Sequence, residues 1–404
     1  MSEPLDPQIS KKLWTKNFIL IIVANFATLT GFYMLLPTLP IYIKVLTGQE
    51  TLAGLAMGIF LVSVILIRPF AGRAVDSYGR KGIFILGLII FLLCTLALNW
   101  ARTLFVLLLL RFIQGFSWGY GNTASSTIVS DVLPRQRLAE GMGYYGLAMS
   151  VAMGLSPALA LYIIGKYSFH LMFNVSAFAV FLAAILAFFV TYHKVEKLAS
   201  KSDTVKADLF EKSALRPAGM AFFVTLNYSS VLSFIALYGA ELNIVKIGLF
   251  FTVFAVSITL TRPLLGPLAD KKGYDIVIIP GLLMMIVTML IIFKAQSLPL
   301  FILAGVTYGI GIGAVQPTLQ AMSVLNAPAG RRGAANATYF TFFDLGFGLG
   351  SIMWGAVAHA VGFSVMYLLT TVPILCALIF YVLFARQAKL IKYSNGSTLD
   401  LTES

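Results

Sequence analysis

Twelve apolar stretches, each long enough to cross a bilayer, constrain this chain more than any other feature. A hydrocarbon core about 30 Å thick needs roughly 20 apolar residues in a helix. Such stretches fall near residues 17–43, 52–72, 82–100, 103–128, 140–164, 169–192, 217–240, 246–268, 275–294, 298–325, 333–360 and 363–386. Inside lipid every backbone N–H and C=O must be satisfied within the chain, and a helix does this alone. The sequence therefore predicts an all-α integral membrane protein with twelve transmembrane helices. Composition agrees. Of 404 residues, 59% are hydrophobic and only 11% are charged, where a soluble domain carries about a quarter. The first ten residues are polar, Lys11, Lys12 and Lys16 follow, and the apolar run from Phe18 is too long for a signal-peptide core. It reads as the first span, with no cleavable leader before it.

The net charge of +13 raises nucleic acid as a partner, and the placement of the basic residues excludes it. Lys and Arg punctuate the apolar stretches on one side. With the N-terminus in the cytoplasm, 23 of the 29 basic residues fall on the inner face, Arg68 and Arg262 counted among them. Five fall outside (Lys44, Arg102, Lys166, Lys246 and Lys294), and Arg111 lies within a span. This is the positive-inside pattern. It predicts a multi-pass protein of the cell (plasma) membrane with both termini cytoplasmic. The polar stretch 193–216 reads as a cytoplasmic linker carrying a surface helix, between bundles 1–192 and 217–404. The tail after Lys392 reads as disordered.

The two bundles repeat. At a shift of 194 residues, Phe60, Val62, Ser63, Leu66, Arg68, Pro69, Gly72, Asp76 and Gly79 meet Phe254, Val256, Ser257, Leu260, Arg262, Pro263, Gly266, Asp270 and Gly273. That is nine identities in 22 positions without a gap, and both copies read R-P-x-x-G-x-x-x-D-x-x-G. Gly115, Gly119, Tyr145 and Gly154 likewise meet Gly309, Gly313, Tyr339 and Gly348. Six helices return the chain to its starting side, so the repeats are parallel, related by an axis along the membrane normal, around a central cavity. Two halves that rock about a mid-membrane site are the architecture of a transporter.

These residues resemble the major facilitator superfamily. Gly72-Arg73-Ala74-Val75-Asp76-Ser77-Tyr78-Gly79-Arg80-Lys81 is similar to its signature between helices 2 and 3, with a degenerate twin from Gly266 to Gly273. Arg111-Phe112-Ile113-Gln114-Gly115 resembles the helix-4 signature of proton-driven members. Helix 5 is rich in small residues around Pro157, although Ser156 stands where exporters of the superfamily carry glycine. The group most resembled is the twelve-helix drug:proton antiporters. The resemblance implies that Asp76 docks one half onto the start of helix 11, with Arg80, Lys81 and Arg137 joining the charges of that gate and Asp270 as its counterpart. An ordinary solvated turn is the alternative for this loop.

The intramembrane charges are the candidate coupling residues. A charge at the bilayer centre costs about 2.5–3.5 kcal/mol on insertion scales, so it has a partner or a water-filled cavity. Arg111 shares a helical face with Gln114, Trp118 and Asn122, and the resemblance implies a part in proton coupling or substrate contact. A structural bond to Asn25 is the alternative. Asp344 is the acid placed well inside a span. Carboxyls withdrawn from water hold protons more tightly, which suits a site that exchanges a proton near neutrality; a packing bond to a neighbouring hydroxyl is the alternative. Asn25, Thr28, Phe32, Asn227, Tyr228, Gln316, Gln320, Tyr339 and Phe343 complete the candidate substrate lining, against the alternative that polar residues in spans glue helices together.

Other motifs carry no chemistry. Gly115-Phe116-Ser117-Trp118-Gly119 matches the nucleophile-elbow pattern but falls mid-helix, where that strand-turn-helix device cannot form. It reads with Gly309/Gly313 and Gly346/Gly350 as small-residue helix packing. His170, His193 and His359 are scattered, so no metal site is expected. Cys94 and Cys376 sit in apolar runs and read as buried hydrophobes. No phosphate-binding loop is present, so ATP does not drive the chain directly. The expectation is a non-enzymatic, monomeric secondary transporter without cofactor. Protons, membrane lipids and a small-molecule substrate would be its partners. Proton-coupled efflux of an amphipathic compound is the leading reading; a lipid or lysolipid flippase and a nutrient importer are the alternatives.

Overall fold

The computed structural model describes residues 12–48, 55–191, 209–244, 246–325 and 327–385. It is all-helical. The spans are α1 (Lys16–Thr47), α2 (Leu55–Tyr78), α3 (Arg80–Ala97), α4 (Leu104–Val132), α5 (Leu138–Lys166), α6 (Phe169–Phe189), α7 (Leu215–Glu241), α8 (Leu249–Lys272), α9 (Asp275–Lys294), α10 (Leu298–Leu325), α11 (Arg332–Leu369) and α12 (Thr371–Phe380). The last two run together as one helical stretch of 53 residues, about 80 Å at 1.5 Å per residue, far more than one bilayer crossing. Gly362 divides it, with φ 82° and ψ 161°, a conformation open to glycine alone at low energy. The eleventh span is therefore 332–361 and the twelfth 363–385. Of the expected linker, only 209–216 lies within the described residues. It holds a 3₁₀ turn (Lys212–Ala214) and no longer surface helix. The expected disordered tail lies outside the described residues.

Several helix starts carry a side-chain cap: Thr15, Thr103 and Ser168 accept from the N–H groups of Phe18, Val106 and Leu171. The lipid-facing stripes are long apolar side chains four residues apart. Val62, Leu66 and Phe70 on α2 are exposed, as are their repeat mates Val256, Leu260 and Leu264 on α8. In water such stripes would be costly; in hydrocarbon they are matched. In the first half, α1 packs on α5 and α6, and α4 on α2 and α3. In the second, α7 packs on α11 and α12, and α10 on α8 and α9. The halves meet through α2 against α11 and α5 against α8. We call the end that carries Arg80, Arg135, Arg137, Arg331 and Arg332 the basic end.

Backbone proximity follows the repeat. A Cβ on Gly115 would collide with Ser63 Oγ and sit 2.6 Å from the Phe60 carbonyl oxygen; one on Gly309 would sit 2.5 Å from Ser257 Cβ and 2.8 Å from the Phe254 oxygen. The contacted pairs are related by the same 194-residue shift. Gly82, in contrast, faces open space. Gly115→Val is expected to destabilise the detergent-solubilised protein by about 1–3 kcal/mol through overpacking. Gly82→Ala should be neutral or stabilise by up to about 1 kcal/mol. Thermal unfolding of the two variants against the parent chain measures the difference.

Candidate functional site

Two aspartates hold the halves together at the basic end. The Asp76 carboxylate accepts from the backbone N–H of Gly333 at 2.9 Å and of Ala334 at 2.8 Å, the first turn of α11. Asp270 accepts from the N–H of Ala139 at 3.0 Å and of Glu140 at 2.8 Å, the first turn of α5. The four amides are related by the same shift as the two acids. Each carboxylate thus meets orphan N–H donors and the positive end of a helix dipole. Gly79 and Gly273 (φ 102° and 95°) turn the chain directly after these acids. Gly72 and Gly266 let the backbones touch: a Cβ there would fall 2.6 Å from Ala337 and 2.7 Å from Glu140.

The charges around the two docks differ. Arg80 bonds Asp131 and lies 3.6 Å from Asp76. Arg332 reaches across from α11 to Asp131 at 3.0 Å and to the Ser130 carbonyl at 2.8 Å. Asp131, which no sequence motif marks, is therefore shared by arginines from both halves. Arg137 lies at the other dock, bonded to Glu140 at 2.6 Å beside Asp270, not at Asp76. Lys81 turns away and donates to the Phe188 carbonyl on α6 at 2.7 Å. Arg331 bonds Glu211, whose own N–H donates to Thr338 Oγ1 at 2.9 Å, tying the segment before α7 to α11.

Halfway along the spans, a second layer corrects the assignment of Arg68 and Arg262 to the inner face. Both are 2% exposed. Each lies ten residues before the end of its helix, about 15 Å into the span. Arg68 Nε donates to Asp344 at 2.8 Å, which makes an ion pair between α2 and α11. Its Nη1 donates to Asn122 at 3.3 Å and Thr123 at 3.2 Å, and its guanidinium lies 4.6 Å from the Phe340 ring centroid. Asp344 is thus held by a cation of the opposite half, and its partner is not a hydroxyl. Arg262 Nη2 donates to Gln316 at 3.0 Å. Its Nε and Nη1 are buried without an acceptor. A Cβ on Gly146 would fall 2.6 Å from Nη1, so the guanidinium lies against the α5 backbone. Tyr33, Tyr228 and Tyr339 are near enough to interact with it electrostatically.

Arg111 stands apart from this layer. It is 1% exposed, donates to the Ala56 carbonyl at 3.3 Å and Gln114 Oε1 at 2.9 Å, and covers the Phe60 ring at 4.4 Å. Gln114 passes the chain of bonds to Thr95 at 3.0 Å. All of these partners belong to the first half. The structure therefore separates Arg111 from Asp344 and bonds it to Gln114 and Ala56, not to Asn25. Asn25, Thr28, Trp118 and Asn122 line a cavity of about 20 Å³ inside the same half, room for a single water. Phe32 stacks on Trp118 at 4.2 Å.

In the second half, Asn227 is wholly buried. It donates to the Thr370 carbonyl at 3.1 Å and accepts from Tyr308 at 2.8 Å, which is helix glue. Tyr339 donates to the Gln316 carbonyl at 3.2 Å. The Phe343 ring lies 6.2 Å from that of Tyr339. Gln320, one turn beyond Gln316, buries its amide nitrogen without a partner. Among the described residues no group of three or more potential metal ligands occurs, and both cysteines are free. The residues missed from sequence are Arg68, Arg262, Tyr33 and Asp131. The repeated R-P dipeptide signalled the first two: it puts an arginine ten residues inside each helix end.

Comparison with known proteins agrees with this architecture. The profile of the Major Facilitator Superfamily matches residues 21–244 and 217–399. The staphylopine export protein of Staphylococcus aureus is 24% identical over 80% of this chain and 85% of its own length. The multidrug resistance protein MdtG of Salmonella paratyphi C is 24% identical over 88% of this chain and 92% of its own. Among solved structures, FucP, a Major Facilitator Superfamily transporter captured in the outward conformation, superposes with a TM-score of 0.78. It is 17% identical, over 92% of this chain and 99% of FucP. Paired six-helix bundles, docks repeated at one end and a profile match along nearly the whole length lead to one conclusion: the chain belongs to the Major Facilitator Superfamily, as a membrane transporter and not an enzyme.

Proposed function

We propose that the chain exports a small amphipathic organic compound across the plasma membrane by proton-coupled alternating access. The observation that carries this reading is the Arg68–Asp344 pair, a titratable contact between the two halves at mid-span. The basic end is the cytoplasmic side, where both termini lie, and bundles 1–192 and 217–404 are the rocking units. The inter-half bonds of Asp76, Asp270, Arg332 and Asp344 all lie between mid-span and that end, and on this reading that is the closed side, with the site reached from the outside. A proton taken up from there by Asp344 removes one charge of the pair and loosens α2 from α11. Once the basic end opens, the proton leaves to the cytoplasm and substrate enters. The similarity to the multidrug resistance protein MdtG and to the staphylopine export protein supports outward transport.

Asp344→Asn holds the site in its neutral form while keeping an acceptor for Arg68. In proteoliposomes with an imposed pH gradient, uphill dye efflux should fall to background while downhill exchange is kept; the melting temperature should fall, because Arg68 loses its counter-charge. Undiminished uphill efflux would refute the coupling role.

The docks supply a second test. Each charge-assisted bond contributes about 1.5–3 kcal/mol, so Asp76→Asn should change turnover by about tenfold or more and leave substrate affinity unaltered. Unchanged turnover would reduce Asp76 to an ordinary turn residue.

A further inference from the structure

The second half repeats the surroundings of Arg68 with one part missing. At the 194-residue shift Arg68 meets Arg262, Asn122 meets Gln316, and Tyr145 meets Tyr339. Arg68 bonds Asn122, and Arg262 bonds Gln316. The counterpart of Asp344 is Ser150. The Nε–H of Arg68 therefore donates to a carboxylate, whereas the Nε–H of Arg262 donates to nothing, and neither does its Nη1. An arginine stays charged in a protein, and a buried charge without a counter-charge is strongly disfavoured. Among the described residues no carboxylate lies within ion-pair distance of Arg262.

We propose that Arg262 binds an anionic oxygen, a carboxylate or a phosphate, on the transported compound, which supplies the charge that Ser150 lacks. This rests on the reading of the chain as an alternating-access transporter and adds the class of its substrate: an amphipathic organic anion. The surroundings fit. Tyr33, Tyr228 and Tyr339, on α1, α7 and α11, are near enough to interact with the guanidinium electrostatically. The hydroxyls of Tyr33 and Tyr228 are further donors for an oxyanion, and the three rings suit a flat apolar body. A cationic compound would meet the uncompensated guanidinium and be repelled. Arg111, a buried arginine that likewise has no carboxylate within ion-pair distance among the described residues, has acceptors for Nε and Nη1 and offers no such opening. The site also draws on both halves: Gly146 on α5 backs the guanidinium from the first and Gln316 holds it from the second. Rocking of the halves must therefore remake it.

The test compares 2-naphthoate, neutral 2-naphthamide and cationic 2-naphthylmethylammonium, which share one ring system. Binding to the purified full-length chain in phosphatidylcholine nanodiscs is read by calorimetry. The expected result is naphthoate bound at least tenfold more tightly than the other two. Arg262→Gln should remove that preference, and so should Ser150→Asp, which supplies the missing carboxylate from within. If Arg262→Gln does not fold, Ser150→Asp decides alone. The absence of a naphthoate preference in the parent chain overturns the proposal, as does its survival in Ser150→Asp. Nanodiscs containing phosphatidylglycerol separate the sources of the anion. Equal naphthoate affinity in both lipids supports a soluble substrate. Competition from phosphatidylglycerol assigns the site to a lipid headgroup and overturns it. The coupling role of Asp344 is read separately. Undiminished uphill efflux in Asp344→Asn with the anion preference intact refutes only the coupling. Loss of the preference with uphill efflux intact refutes only the anion site.

Discussion

A helix that begins in the interior of a membrane protein exposes N–H groups that nothing in its own first turn can satisfy. The contact between the halves depends on how this chain meets that need. α5 and α11 both begin where the halves touch, and both take their missing acceptor from an aspartate of the opposite half. The bond is at once a helix cap, a charge–dipole contact and an inter-half latch. Separating the halves therefore leaves two helix starts uncapped until water reaches them. A latch built this way is reversible, because water is a competent replacement partner at a helix end but not at mid-span.

Much of this was legible in sequence because lipid imposes simple rules. Twelve apolar stretches became twelve spans, and their limits shifted by only a few residues at most ends. The length of the eleventh and twelfth was set by one glycine, Gly362. Other features were not legible because they depend on which helix stands beside which. Arg68 and Arg262 follow apolar runs and precede polar loops, so hydropathy alone assigned them to the inner face. Their burial follows from α2 and α8 continuing helically through the loop motif to Tyr78 and Lys272. Arg111 showed the opposite error of emphasis. It is as buried as its sequence setting suggests, yet Gln114, Ala56 and Phe60 absorb it within one half.

The repeat has drifted unevenly. At the basic end the docks are nearly superimposable in chemistry, and the added pair of Asp131 with Arg332 strengthens only the α11 side. At mid-span the two arginines are retained with their amide partners, while the residues facing them have diverged. Phe340 and Asp344 stand on α11 where Gly146 and Ser150 stand on α5. The repeat is kept at the end that carries the docks, and it departs from symmetry in the mid-span layer, where the proposed proton and cargo sites lie.

The parallel arrangement of the halves has a consequence for how such a chain can arise. A unit of six helices with this orientation could pair with a copy of itself, since each acid would find the helix start of the other. In such a homodimer, however, the mid-span layer is bound by symmetry: two arginines face either two carboxylates or none. One carboxylate for two arginines is available only after the copies are joined in a single polypeptide and free to mutate apart. Joining the halves in one polypeptide thus does more than tether them: it allows a mid-span layer with an odd number of charges.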